Sequence, residues 1–167
     1  MTLSPSRNLP DLAERILGAA RTRNFSIVTA ESCTAGKLAT LLSEAEGASK
    51  HLHGGFVAYT KANKEKALGV PPSVLRTRGA VCREVAMAMA EGALSRTPAD
   101  YAVAITGVAG PEPDEDNNPV GLVCIAIAQR GSKPVAIEKR YGKAKRTEIQ
   151  ERAMADALSA LLASMEP

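Results

Sequence analysis

The segment Thr29-Ala30-Glu31-Ser32-Cys33-Thr34-Ala35-Gly36 directly follows the apolar run Phe25 to Val28. This order predicts that a strand ends and a helix begins here, with Ser32 at the junction. Backbone N–H groups at the start of a helix are free to hold an anion. The segment therefore indicates an α/β protein in which this turn carries either a serine nucleophile or a phosphate clamp.

Helical and strand-like patterns alternate along the rest of the chain, and a hairpin follows near the end. The predicted helices cover 9–22, 35–45, 61–68, 81–94 and 146–164, and the predicted strands cover 25–30, 56–59, 101–105, 121–128 and 134–139. This order is typical of the α/β class. We predict a single three-layer α/β/α domain with a mixed, mostly parallel sheet, over residues 1–167 with a core at about 9–164. The acidic loop 112–118 is the one segment expected to be disordered.

Composition narrows the class of protein. Apolar residues make up 45% of the 167 residues, and the formal net charge is only +3, so direct nucleic-acid binding is not expected. No apolar run approaches the roughly 20 residues that cross a bilayer, and the N-terminus lacks the apolar stretch of a secretory signal. Cys33, Cys82 and Cys124 show no metal-ligand spacing. The sequence predicts a cytoplasmic protein without metal, cofactor or membrane partner.

Ser32 has two interpretations, as a helix N-cap or as a nucleophile. Thr34 can cap the second helix instead, which leaves Ser32 available. A serine nucleophile needs a base. The two histidines, His51 and His53, lie in a polar connection and are expected to be exposed loop residues rather than metal ligands. Lys64 is the alternative base, because the first turn of a helix disfavours an ammonium group there; otherwise it is a solvated lysine, as Lys61 is expected to be.

Other side chains near the turn could assist or compete. Tyr59, at a strand end, could relay a proton or hold the serine oxygen, or it could be a rim aromatic. Cys33 is a rival nucleophile, because a thiolate is favoured near a helix N-terminus. The pair Gly36-Lys37 does not complete a P-loop, because Leu38 follows where that motif needs Ser or Thr.

Ligands of open α/β sheets lie beyond the carboxyl ends of the parallel strands. The loop Thr106-Gly107-Val108-Ala109-Gly110-Pro111 follows such a strand and is either a ligand-binding loop or a plain turn. Arg146 belongs to a basic run that is either a solvated face or a phosphate contact. We expect the turn at Ser32, the strand end at Tyr59 and this loop to share one cleft.

In their order along the chain, these segments resemble the CinA C-terminal domain family, which includes nicotinamide-nucleotide amidohydrolases. The resemblance extends from about residue 10 to 162 and is carried by Thr29 to Gly36, Gly55-Phe56-Val57-Ala58-Tyr59, Gly69-Val70, Gly79-Ala80-Val81, Ala102 to Pro111, and Pro119-Val120-Gly121. The chain looks like the short form that lacks a larger N-terminal domain. It departs from the family pattern at Ala35, in the acidic loop, and at Ala144-Lys145, where an acid usually precedes the arginine.

The resemblance implies hydrolysis of nicotinamide mononucleotide to nicotinate mononucleotide and ammonia, without a cofactor, by a homodimer. It places the catalytic set on Ser32, Tyr59 and Lys64. The residues expected to contact the small-molecule nucleotide or the oxyanion are Cys33, Thr34, Ala35, Gly36, Thr106, Gly107, Ala109, Gly110, Pro111 and Arg146. The alternative is a catalytically weak nucleotide-binding or regulatory module linked to competence or the DNA damage response.

Overall fold

The computed structural model describes residues 8–166. Residues 1–7 and 167 of the predicted domain lie outside the described part, and so does the N-terminal start to which the prediction about a secretory signal refers. The elements in chain order are α1 (Leu9–Arg23), β1 (Ile27–Glu31), α2 (Lys37–Ser43), α3 (Ala48–His51), β2 (Leu52–Val57), α4 (Lys61–Leu68), α5 (Pro72–Arg78), α6 (Arg83–Ser95), β3 (Tyr101–Gly107), β4 (Leu122–Gln129), β5 (Val135–Arg140) and α7 (Arg146–Met165).

The five strands form one sheet in the order β2-β1-β3-β4-β5. Strand β1 is parallel to both β2 and β3, whereas β4 is antiparallel to β3 and to β5. Four strands thus run in one direction and only β4 opposes them. The predicted mixed, mostly parallel sheet is confirmed.

Each face of the sheet is covered by its own apolar cluster. Alternate residues of a strand point to opposite faces, so in β1 the side chain of Ile27 joins the cluster formed with α1, α2 and α7. Its neighbour Val28 joins the second cluster, whose largest part is the Ala- and Met-rich face of α6. Because the strands are apolar on both faces, helices must cover both sides of the sheet, and the three-layer α/β/α arrangement follows.

Several local predictions need correction. Helix α2 begins at Lys37 rather than Ala35, because Gly36 is its N-cap residue with a φ of +95°, a conformation that favours glycine. Thr34 does not cap this helix, since its hydroxyl donates instead to the carboxylate of Glu31. His51 ends helix α3 and His53 lies in β2, so neither is a loop residue. Helices α3 and α5 were not predicted.

The acidic loop was expected to be disordered, but it is held by specific contacts. Asp114 Oδ1 accepts hydrogen bonds from the backbone N–H groups of Asp116 and Asn118, at 3.0 and 2.8 Å. Asp116 in turn accepts from Lys61 Nζ at 2.6 Å and from the N–H of Ala80 at 3.1 Å. The loop is therefore tied to α4 and to the segment before α6.

Within residues 8–166, no helix combines the length and the apolar character needed to cross a membrane.

Candidate active site

Ser32 is held at the carboxyl edge of the sheet by its backbone. Its N–H donates to the carbonyl of Ile105 on β3 at 2.9 Å, and its carbonyl accepts from the N–H of Ala35 at 3.0 Å. The residue is only 6% exposed. The chain thus turns sharply between β1 and α2 with the Ser32 side chain fixed at the junction, as the sequence predicted.

Lys64 is the residue that the structure brings to Ser32. It lies in α4, whose first turn is capped by Thr60 through a 3.1 Å bond from the N–H of Asn63. Lys64 is 1% exposed, and its Nζ atom lies 2.8 Å from Ser32 Oγ. Burial lowers the pKa of Lys64 from 10.5 to about 8, because a buried ammonium loses its hydration.

Lys64 Nζ lies among three oxygen atoms to which an ammonium donates, and the same geometry also suits a neutral amine. Besides Ser32 Oγ, the atom contacts the carbonyl oxygens of Ala58 at 3.2 Å and Tyr59 at 3.1 Å. A carbonyl only accepts hydrogen bonds, so the two N–H groups of a neutral amine are directed to these two oxygens. The remaining lone pair is then directed at the Ser32 hydroxyl, which is the arrangement a general base requires.

Tyr59 contributes to this cluster through its backbone, not its hydroxyl. Its carbonyl contacts Lys64 Nζ, and Ser32 Oγ lies 3.4 Å from the same oxygen. Tyr59 as a whole residue is 53% exposed, and its hydroxyl accepts from Arg146 Nη2 at 2.6 Å. Because Lys64 contacts Ser32 directly, no proton relay through the Tyr59 hydroxyl is needed.

Arg146, the first residue of α7, spans the cleft rim. Its Nη1 atom donates to the carbonyl of Gly110 at 2.7 Å while Nη2 contacts Tyr59. One guanidinium therefore joins the end of β2 to the loop after β3. A phosphate could compete for the same donors, since an arginine fork matches its oxygens.

The cleft between these elements has a volume of about 500 Å³. The predicted site residues that line it are Ser32, Cys33, Tyr59, Lys64, Thr106, Gly107, Ala109, Gly110 and Arg146. Thr34, Ala35, Gly36 and Pro111 do not belong to the lining. The structure thus brings the three predicted segments to one cleft, while substrate contact remains a prediction for every residue.

Gly107 is required where the end of β3 approaches the turn at residues 32–36. We call this turn the nucleophile turn, after the role predicted for Ser32. A Cβ atom at this position would lie 2.7 Å from a methyl group of Val123 and 3.2 Å from the sulfur of Cys33. Its neighbour Thr106 is 1% exposed and donates its hydroxyl proton to the carbonyl of Ala80 at 2.8 Å. The end of β3 is therefore packed directly against the turn that carries Ser32.

The cleft carries charges of both signs. Lys61, Lys64 and Arg146 line it together with Glu112, Asp114 and Glu115. Lys61 is not the solvated lysine that was expected, because it pairs with Asp116 at 2.6 Å and Glu115 at 3.6 Å, and the hydrogen bond to Asp116 raises its pKa. The acidic residues of the loop are thus part of the cleft wall.

Cys33 is not an activated thiol. It is buried, and burial raises its pKa to about 12, so the thiolate expected at a helix N-terminus does not form near neutral pH. Its side chain joins the apolar cluster beside α7. Of the two adjacent candidates, Ser32 has a hydrogen bond with the amine of Lys64, and the Cys33 thiol remains protonated.

Two buried polar residues that hold the turn at Ser32 in place were not predicted from the sequence. The carboxylate of Glu31 is 1% exposed and accepts from the hydroxyl of Thr34 at 2.7 Å and from the N–H groups of Leu38 and Ala39 at 2.8 and 3.0 Å. It therefore anchors the start of α2 to the end of β1. Its position at the end of an apolar strand, directly before Ser32, could have predicted this role, because a buried carboxylate requires hydrogen-bond donors.

The second missed residue is Gln150 on α7, whose side-chain N–H donates to the carbonyl of Cys33 at 2.8 Å. No local pattern distinguishes this glutamine from the polar residues around it.

The structure gives no support for a histidine metal site. His51 Nδ1 lies 2.9 Å from the carbonyl of Phe25, and within the described chain no group of three or more potential ligand side chains lies close enough to hold a metal ion.

Comparison with known proteins identifies one family. The model of the CinA C-terminal domain matches residues 9–165. A CinA-like protein of Mycolicibacterium vanbaalenii is 47% identical over 136 residues, which cover 81% of this chain and 32% of that protein. A putative competence-damage inducible protein of Symbiobacterium thermophilum is 44% identical over 128 residues, 77% of this chain and 29% of that protein. The chain thus spans about a third of the length of these relatives.

Solved structures agree over nearly the whole chain. The competence/damage inducible protein CihA of Agrobacterium tumefaciens superposes with a TM-score of 0.90 at 42% identity, covering 98% of both chains. A competence-damaged protein (CinA) superfamily protein of Escherichia coli also gives 0.90 at 34% identity, covering 97% of this chain and 93% of that one.

Proposed function

Because this chain belongs to the CinA C-terminal domain family, we propose that it is an amidohydrolase that converts nicotinamide mononucleotide and water to nicotinate mononucleotide and ammonia. The observation that carries the proposal is the 2.8 Å contact between Lys64 Nζ and Ser32 Oγ at a buried position on the cleft wall. A serine beside a base of lowered pKa is the arrangement that nucleophilic catalysis requires.

The reaction begins with proton transfer. Neutral Lys64 takes the Ser32 proton while Ser32 Oγ bonds to the carboxamide carbon, and the carbonyl oxygen becomes an oxyanion. The Lys64 ammonium then returns the proton to the amide nitrogen, the C–N bond breaks, and ammonia leaves an ester on Ser32. Water activated by the same lysine cleaves the ester and releases the carboxylate.

Backbone N–H groups of the nucleophile turn are the proposed oxyanion donors. Among the described residues, the N–H groups of Cys33 and Thr34 donate to no backbone carbonyl, and the N–H of Cys33, which lines the cleft, contacts its own thiol. One preorganised donor of this kind contributes about 3 kcal/mol to transition-state stabilisation.

The charges of the cleft fit the two ends of this substrate. Nicotinamide mononucleotide carries a cationic ring and an anionic phosphate. Arg146 and Lys61 are the cations at the rim for the phosphate, and the acidic wall of Glu112 and Glu115 faces the same space. The loop from Gly107 to Gly110 offers close backbone approach to the ribose or ring.

We also propose that the protein acts as a homodimer in the cytoplasm. The three cysteines are free thiols, as is usual in a reducing compartment. Light scattering after size-exclusion chromatography tests the dimer, and a mass equal to one chain would contradict it.

The proposal is tested by ammonia release from nicotinamide mononucleotide. We expect release by the wild type, loss of release in Ser32→Ala, and normal release in Ser43→Ala, which removes an exposed hydroxyl from α2. Normal turnover by Ser32→Ala would contradict the proposal.

A nucleotide-binding module of weak activity is the second candidate. The observation that favours it is the guanidinium of Arg146 at the cleft rim. Its two donors, which now contact Tyr59 and Gly110, match the oxygens of a phosphate, and this contact needs no catalysis. A calorimetric titration with nicotinamide mononucleotide, run beside the ammonia assay, separates the two: binding without ammonia release identifies the module.

A further inference from the structure

The side chain of Gln150 is buried between α7 and the nucleophile turn. The residue is 5% exposed and lies one helical turn after Arg146, on the same face of α7. Arg146 reaches the rim of the cleft, and Gln150 reaches the carbonyl of Cys33 beneath it. Helix α7 therefore contacts the site at the cleft rim through Arg146 and beneath the rim through Gln150.

The orientation of the Gln150 amide is set by chemistry. Its oxygen lies 2.6 Å from Lys37 Nζ, and its nitrogen lies 2.8 Å from the Cys33 carbonyl oxygen. A lysine ammonium only donates and a carbonyl only accepts, so the opposite orientation would place donor against donor and acceptor against acceptor. Lys37 thus fixes Gln150 as a donor toward Cys33.

Both peptide groups after Ser32 are held by their carbonyls. The Ser32 carbonyl accepts from the N–H of Ala35 at 3.0 Å, and the Cys33 carbonyl accepts from Gln150. In a trans peptide the N–H points away from the C=O of the same plane. Fixing the two carbonyls therefore also fixes the directions of the Cys33 and Thr34 N–H groups.

Neither N–H group donates to a backbone carbonyl among residues 8–166, and the N–H of Cys33 contacts its own thiol. Thr34 is fully buried and lies outside the cleft lining, whereas Cys33 belongs to that lining. A backbone N–H group in such a turn can bind an anion. The N–H of Cys33 follows directly on the residue whose attack creates one.

We propose that Gln150 is a positioning residue, which holds the Cys33 carbonyl so that the N–H of Cys33, a residue of the cleft lining, receives the oxyanion formed by attack of Ser32. The proposal rests on the proposed function of Ser32 as a nucleophile. It assigns the donor role to the Gln150 N–H and a supporting role to Lys37.

Two variants of Gln150 test the hydrogen bond that its side-chain N–H donates to the Cys33 carbonyl. Gln150→Glu keeps an acceptor for Lys37 but removes the hydrogen bond to Cys33 and opposes two oxygens. Gln150→Met removes both contacts at similar volume. Lys37→Met leaves the donor in place, and Arg152→Met, which breaks only an exposed pair with Glu148 on α7, is the control.

We expect Gln150→Glu and Gln150→Met to lower kcat for nicotinamide mononucleotide by about 10- to 100-fold, the cost of a misplaced transition-state donor. KM and the apparent pKa of the kcat profile stay at wild-type values, because the contacts of Lys64 are untouched. Lys37→Met lowers kcat by less than either Gln150 variant, because the donor stays but the contact that orients it is lost, and Arg152→Met retains all of kcat. A merely structural role for Gln150 predicts a lower melting temperature with kcat per folded molecule unchanged, and that result overturns the proposal.

A second substrate separates this proposal from the proposed function. Ser32-dependent release of p-nitrophenolate from p-nitrophenyl acetate requires the same oxyanion donors but no nucleotide site. If the wild type releases no ammonia from the nucleotide but cleaves this ester, the proposed substrate is wrong, and a loss of ester cleavage in Gln150→Glu still supports the positioning role. Equal ester cleavage by Gln150→Glu and wild type, or cleavage that does not depend on Ser32, overturns it.

Discussion

The Nζ atom of Lys64 lies 2.8 Å from the Oγ atom of Ser32, although the two residues belong to different elements and are 32 positions apart in the chain. Two carbonyl oxygens hold the amine in that place. The pairing supplies the proposed nucleophile with a candidate base that is not a histidine.

The pH profile of kcat is the first prediction. The pKa of Lys64 is lowered to about 8, and only the neutral amine acts as a base, so activity must rise with pH. We expect kcat to rise about tenfold per pH unit below this pKa and to level off above it. Initial rates of ammonia release between pH 5.5 and 9.5, roughly the span around this pKa, measure the profile. A profile that falls with rising pH across this range would exclude Lys64 as the base.

The burial of Lys64 should also make the free energy of unfolding depend on pH. Since the pKa of Lys64 is about 8 when folded and 10.5 when free, the unfolded chain binds more protons between these values, and the free energy of unfolding rises with pH there. Relative to Lys64→Met, the wild type should gain about 3 kcal/mol across that window, and below it the burial penalty remains in full.

Urea unfolding of both proteins at the two ends of the window tests this. The comparison with Lys64→Met removes the contribution of other titrating groups, and Lys66→Met, which changes an exposed lysine of the same helix, is the matched control. A stability difference that does not depend on pH would show that Lys64 is not desolvated.

Tyr59 and Arg146 should behave as one unit. The Tyr59 hydroxyl contacts Arg146 at 2.6 Å, whereas the contacts to Ser32 and Lys64 go to its carbonyl, which phenylalanine keeps. Tyr59→Phe should therefore raise KM more than it lowers kcat. In a double-mutant cycle with Arg146→Lys, we expect a coupling energy of about 1 kcal/mol in kcat/KM. Loss of kcat as complete as in Ser32→Ala would place the Tyr59 hydroxyl in the proton transfer.

The acidic loop should loosen when Asp116 loses its charge. Partial burial acts to raise the pKa of Asp116, but the hydrogen bonds from Lys61 and from the N–H of Ala80 outweigh it and hold this pKa below its ordinary value. Asp116→Asn should increase hydrogen exchange at Ala80 and in the loop 112–118, because the charged acceptor is gone. Glu65→Gln, an exposed change on α4, should leave exchange unchanged. Unaltered exchange in Asp116→Asn would mean that the contacts of Asp114 alone order the loop.

Local patterns accounted for much of the architecture. Alternation of helical and strand periods, together with the apolar run Tyr101–Ile105, predicted the layers and the mostly parallel sheet. The turn at Ser32 and the first-turn position of Lys64 predicted the pair that the structure brings together. The helices and strands were predicted successfully because they depend on neighbours within a few residues. The contact between Ser32 and Lys64 spans 32 positions and depends on the packing of α4 beside the turn after β1.

Errors arose where a short segment has more than one way to satisfy its polar groups. The hydroxyl of Thr34 could cap α2 or bond to Glu31, which lies three positions earlier, and the sequence alone does not distinguish these two partners. The loop 112–118 has the composition of a disordered segment, yet Lys61 lies 55 positions away from its partner Asp116. Such contacts form only after the sheet has brought distant segments together.

The sequence by itself determined the strand–turn–helix at Ser32, the order of the layers and the edge of the sheet where chemistry is placed, because backbone periodicity and burial are local properties. Only the tertiary structure decided that the Tyr59 hydroxyl is bound by Arg146, that the Cys33 thiol is buried and inert, and that Gln150, 117 positions away, holds the Cys33 carbonyl. Hydrogen bonds between distant side chains depend on how the layers pack, and no spacing along the chain encodes them.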